Sequence, residues 1–115
     1  MKLFRKEKLG EKTRSRYEVN GSEKNLSKKL FGLKGLELNK VIVWLEPEEM
    51  MPHEAVKVKN KEEFEKATDK EISLVEFKGK YNGYDVNIIV DYGLSLLTIL
   101  SCDEKTNESM KDALS

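Results

Sequence analysis

A single cysteine, Cys102, rules out a disulfide within the chain and any metal site built from several thiolates. It follows the last apolar run and reads as a small residue at a strand end. The single histidine, His53, is equally restrictive, because any Ser-His-Asp or Cys-His arrangement would have to be built on it. It lies in Glu46-Pro47-Glu48-Glu49-Met50-Met51-Pro52-His53-Glu54, a loop that contains both prolines of the chain. Nothing in that loop marks the imidazole as oriented, so no catalytic residue is expected and the chain is not read as an enzyme.

Glu48, Glu49, His53 and Glu54 mix ligand types. Zinc sites, however, use spacings that a helix or tight turn fixes, and a proline-bounded acidic loop supplies neither. No metal or cofactor is expected. The glycines of "FGLKGLE" lack the Walker lysine-Ser/Thr ending and the three-glycine dinucleotide pattern, and read as helix terminators. Asp85, Asp91 and Asp103 sit where pairing with lysine or capping a turn explains them. No spacing places two carboxylates in one cleft for acid-base work.

Extended apolar stretches are also missing. The longest, Val41-Ile42-Val43-Trp44-Leu45, is far below the roughly 20 residues of a membrane helix. Met1 to Lys8 contains no apolar core of a secretory signal, so a cytoplasmic location without membrane contact is expected.

The charge is abundant and uneven. Lys and Arg number 21, as do Asp and Glu, giving a formal net charge of zero. Residues 1–34 nevertheless carry eleven basic and four acidic groups, a net of +7, and residues 35–115 carry −7. Two readings follow. The basic third packs against the acidic remainder, or Lys2, Arg5, Lys6, Arg14 and Arg16 contact nucleic-acid phosphates with Phe4 and Tyr17 available for stacking. Interleaved Glu7, Glu11 and Glu18, and the absence of a nucleic-acid-binding motif, favour the first. Residues 1–12 are the candidate for a mobile basic arm on a single domain spanning 1–115.

The clearest local signal is Asn82-Gly83, a type I′ pair between two alternating runs. It sets Tyr81 opposite Tyr84, and puts Val75, Phe77, Gly79 and Tyr81 on one face with Val90, Ile88, Val86 and Tyr84. The other face pairs Lys80 with Asp85. The following run, Leu94-Ser95-Leu96-Leu97-Thr98-Ile99-Leu100, is apolar on both sides, as is 41–45. Such strands belong inside a sheet covered on both faces. Residues 94–100 are therefore expected beside 41–45, with the hairpin towards one edge.

Glu54 to Val58 reads as a short edge strand, and Thr13 to Val19 as a further strand before Asn20-Gly21. Asn60 with Glu63 forms a capping box for a helix over 61–70. Ser22 to Phe31 places Leu26, Leu30 and Leu33 at helical spacing, ended by Gly32 or Gly35. Ser109 to Ala113 adds at most a last turn.

These elements predict an α+β domain: an antiparallel sheet of four to five strands, comprising a meander over 72–101 and a strand at 41–46, with one or two short helices. So little helix leaves the second apolar face without a cover in the chain. The function expected is a non-enzymatic protein-binding module, of the kind a small intracellular regulator, inhibitor or immunity-type protein would be. Its partner is another protein or a second copy, and a nucleic-acid-binding accessory protein is the alternative. Met50, Met51, His53 and Tyr92 are the expected partner contacts. Met50-Met51-Pro52 is read first as a flap over the sheet and second as an adaptable contact patch.

Overall fold

The computed structural model describes residues 1–67 and 71–115. Along the chain these form β1 (Lys2–Leu9), β2 (Lys12–Glu18), α1 (Glu23–Phe31), β3 (Leu36–Leu45), β4 (Glu54–Val58), α2 (Lys61–Ala67), β5 (Ile72–Tyr81), β6 (Tyr84–Asp91), β7 (Leu96–Ser101) and α3 (Glu104–Leu114). All seven strands join one sheet in the order β1-β2-β7-β6-β5-β3-β4, and every neighbouring pair is antiparallel. The α+β class and the antiparallel sheet agree with expectation, while seven strands exceed the four to five predicted.

The β5–β6 hairpin has the register expected of its Asn-Gly turn, from Tyr81 opposite Tyr84 to Val75 opposite Val90. Asn82 and Gly83 take φ of 50° and 87°, as a type I′ turn requires. Its position differs from expectation. The hairpin sits in the middle of the sheet, and β6 and β5 separate β7 from β3. Apolar character on two faces shows that a strand is interior, but many strand orders satisfy it.

The extra strand at one edge is β1. Residues 1–12, the expected arm, contain a strand paired with β2 from Lys2 opposite Glu18 to Leu9 opposite Lys12. Its run of cations hid it, yet lysine-rich composition is how exposed sheet edges are kept from pairing further. The strand β3 also begins earlier than the apolar run 41–45. A bulge at Asn39 breaks its alternation, and there Gly79 lies so close that a Cβ on it would stand 2.1 Å from the Glu37 carbonyl oxygen.

All three helices pack on one face of the sheet. The central α1 contacts α2 and α3 as well as β6, while α3 lies against β2 and β7. Phe31 of α1 ties the layers together, with its ring centroid 5.5 Å from Phe64 of α2 and 5.6 Å from Phe77 of β5. Leu26, Leu30, Phe64, Met110 and Leu114 come down onto Val43, Val75, Ile88, Val90, Leu97 and Ile99, all buried. At about 25 cal/mol per Å² of apolar area, this one-sided core is the main stabilising term.

In α2, Asn60 Oδ1 accepts from the Glu63 amide at 2.9 Å. Glu63 reaches back to the Lys59 amide at 2.6 Å, one residue beyond the box expected. The rest of the helix expected over 61–70 lies outside the described residues. The third helix is a full element and not a last turn: Asp103 Oδ1 caps it by accepting from the Thr106 amide at 2.7 Å. That bond, charge-assisted by the carboxylate, holds Asp103 below its ordinary pKa. The helix was hard to foresee because its anchor is polar. Asn107, fully buried, donates to the Thr13 carbonyl at 3.1 Å and to Ser15 Oγ at 3.0 Å, and its Oδ1 meets the Ser101 hydroxyl.

Candidate functional site

Strand alternation gives the sheet a second face, and among the described residues no helix lies on it. Reading the strand pairings across that face yields three rows. One runs Glu7, Arg14, Leu100, Asn87, Lys78 and Lys40. The next runs Arg5, Arg16, Thr98, Ile89, Glu76 and Ile42. The third runs Lys2, Glu18, Leu96, Asp91, Leu74 and Trp44. Each row is charged on the β1–β2 wing, and towards the middle Leu100, Ile89, Leu96 and Leu74 alternate with the polar or charged Asn87, Lys78, Thr98, Glu76 and Asp91. Leu74, Ile89, Leu96 and Leu100 are only half-buried, although their neighbours in sequence, such as Val75, Ile88, Val90, Leu97 and Ile99, are buried beneath the helices.

The face is hollowed over β2, β7 and β6, forming a concavity of about 800 Å³. Its floor includes Thr98, Leu96, Leu100, Ile89 and Leu74, and Arg14, Arg16, Glu18 and Asp91 also line it. Phe4 contributes from the edge strand: alternation from Lys2 puts it on this face, and the bulge between Leu3 and Arg5 brings Arg5 to the same side. Phe4 is 57% exposed.

The cations on the wing are organised around one carboxylate. Arg5 Nε lies 2.7 Å and Arg16 Nη1 3.5 Å from Glu7 Oε1, and Arg14 Nη2 lies 2.5 Å from Oε2. The Arg14 hydrogen bond, helped by the charges of the three arginines, holds Glu7 below the ordinary value of 4.5 against the opposing effect of desolvation. One carboxylate cannot neutralise three guanidinium groups, so the cluster keeps an excess of two positive charges. Arg14 Nε is shielded from solvent and has no hydrogen-bond acceptor among the described residues.

The residues expected to contact a partner are not drawn together. Met50 and Met51 are 98% and 61% exposed on the loop between β3 and β4, so they form no flap over the sheet. Met50 sits in a turn at φ 69°, with the Met51 amide bonded to the Glu48 carbonyl at 2.9 Å. His53 is exposed on the same loop. Tyr92 lies on the helix side instead. Ser27 Oγ donates to the Glu23 carbonyl at 2.9 Å, so the Tyr92 hydroxyl, 3.0 Å from Ser27 Oγ, is the donor of that pair. Burial pushes its pKa up. Of the hairpin tyrosines, which alternation puts on one face, Tyr81 is buried and Tyr84 is 58% exposed.

The residues named for nucleic acid divide between two surfaces. Arg5, Arg14 and Arg16 share Glu7, whereas Lys6 Nζ turns to the other side and pairs with Glu104 at 2.7 Å. Lys2 stands across from Glu18. The floor of the concavity was only half visible in the sequence: the doubly apolar run 94–100 announced a second apolar face, but not which strands would extend it.

The helix side binds its polar groups internally. Tyr17 donates to Glu108 Oε1 at 3.1 Å, with Lys111 Nζ 5.8 Å from its ring centroid, and burial pushes its phenol up to about 12. Cys102 is exposed, its Sγ 3.7 Å from Thr106 Oγ1. Among the described residues, no three His, Cys, Asp or Glu side chains converge as a metal site would require, and no helix is long and apolar enough to cross a membrane. Compared with known proteins, the chain significantly matches no family model, no curated protein and no solved structure.

Proposed function

We propose that this chain is a non-enzymatic binding module that works through the helix-free face of its sheet, with another protein or a second copy as its partner. One observation carries the reading: Leu100, Ile89, Leu96, Leu74, Ile42 and Trp44 are diagonal neighbours over four adjacent strands, interleaved with Asn87, Glu76 and Asp91, and among the described residues no helix covers them. Contiguous apolar surface rimmed by charge is the usual mark of an interaction site. The charged wing would select and orient the partner more than it would strengthen binding. Nucleic acid is the weaker alternative, because the arginines that would meet phosphates are shared with Glu7 and their lysine neighbour Lys6 is turned to the opposite side.

The test is site-specific photocrosslinking in the producing cell. A photoreactive residue replaces Leu96 on the open face or Lys105 on α3, and light scattering gives the mass of the purified protein. A discrete adduct from position 96 and none from 105 is expected, with a dimer in solution if the partner is a second copy. No adduct from position 96, or equal adducts from both, overturns the reading.

A further inference from the structure

We infer that the concavity over β2, β7 and β6 binds an apolar carboxylate, a medium-length aliphatic or aryl acid whose charged head meets Arg14 and Arg16. This goes beyond the partner-binding reading and does not depend on a protein covering the face.

Charge is the first argument. The Arg5, Arg14 and Arg16 cluster already holds one carboxylate, that of Glu7, and retains a positive excess at the edge of the hollow. Guanidinium groups recognise carboxylates through paired hydrogen bonds, and a second carboxylate would reduce the excess from two charges to one. Arg14 stands directly across from Leu100, and Arg16 from Thr98, so a head group at the arginines leaves its apolar body on the floor formed by Leu100, Ile89, Leu96 and Leu74.

The acidic groups fix the direction. Glu18 follows Arg16 by two residues, about 7 Å further along the strand. Asp91 lies in the same row as Glu18, and its Oδ1 accepts from the Leu94 amide at 2.9 Å. An anion is therefore drawn to the Arg14 end and repelled from the other. Size agrees: about 800 Å³ falls within the range of roughly 300–1,000 Å³ typical of small-molecule sites. Phe4, which lines the hollow from the edge strand, supplies an aromatic wall that an apolar body would contact.

The test titrates decanoate, and 1-decanol as its neutral counterpart, into the full chain while following amide resonances by NMR. Decanoate should give saturable shifts centred on residues 87–100. The alcohol should bind at least about tenfold more weakly, the scale of one charge-assisted hydrogen bond. R14Q/R16Q should lose a similar factor, and K57Q/K59Q, which removes the same charge elsewhere, should stay within about twofold. Because the arginine variant also disturbs Glu7, Thr98→Trp provides an independent arm by filling the floor, and it should abolish the shifts. No saturable binding, equal binding of decanol, or unchanged affinity in T98W overturns the inference. The crosslinking result would stand either way, so the two readings fail separately.

Discussion

Ile88 and Ile89 are consecutive on β6 and point to opposite sides of the sheet. Ile88 is fully buried under the helices, and Ile89 lies half-buried on the helix-free face. The same step of one residue separates the core from the candidate site along β7, where Leu97 and Ile99 alternate with Leu96, Thr98 and Leu100.

This pair makes the first prediction. Ile88→Ala should cost about 3 kcal/mol, because it opens a cavity in packed surroundings. Ile89→Ala should cost about 1 kcal/mol or less, since its side chain is already partly in water. Urea unfolding of both variants measures the difference. Equal losses would mean that something covers the second face in solution, and light scattering on the same samples would show whether it is a second copy.

Asn107 provides the second prediction. It is a buried amide that joins α3 to both β2 and β7. Asn107→Ala should destabilise by about 2–3 kcal/mol, because the Ser15 and Ser101 hydroxyls then lose a partner in a dry site. Hydrogen exchange should show the amides of α3 opening before those of the central hairpin.

The Glu7 cluster makes stability depend on pH in a defined direction. The folded pKa of Glu7 lies below 4.5, so its contribution is complete above about pH 4.5 and disappears as pH falls through the folded value. The difference in urea midpoint between the wild type and Glu7→Gln should be constant from pH 8 to about 5 and shrink at lower pH. A difference that grew on acidification would contradict the sign of the shift.

Two glycines in the hairpin should behave differently on substitution. Gly79→Ala brings a Cβ to within 2.1 Å of a backbone oxygen that the bulge in β3 holds in place. It should cost on the order of 3 kcal/mol or prevent folding. Gly83 has open space around it but φ of 87°, so Gly83→Ala should cost about 1 kcal/mol through backbone strain alone. Thermal melts of the two variants distinguish steric from conformational cost.

Local chemistry alone specified a good part of this protein. The Asn82-Gly83 turn, the register of its hairpin, the cap at Asn60 and the edge strand at 54–58 follow from turn geometry, side-chain alternation and capping, which act over a few residues. The doubly apolar run at 94–100 also signalled a second apolar face. Long-range packing decided the rest. The strand order, the incorporation of β1, and α3 with its polar anchor depend on partners far apart in sequence, as Asn107 and Thr13 are, and alternation is indifferent to which strand lies next door. The candidate site is of the same kind: Arg14 and Arg16 were visible as cations and Leu96 and Leu100 as apolar residues. Their meeting across one concave surface is a consequence of β2 pairing with β7, and no pattern within either segment encodes it.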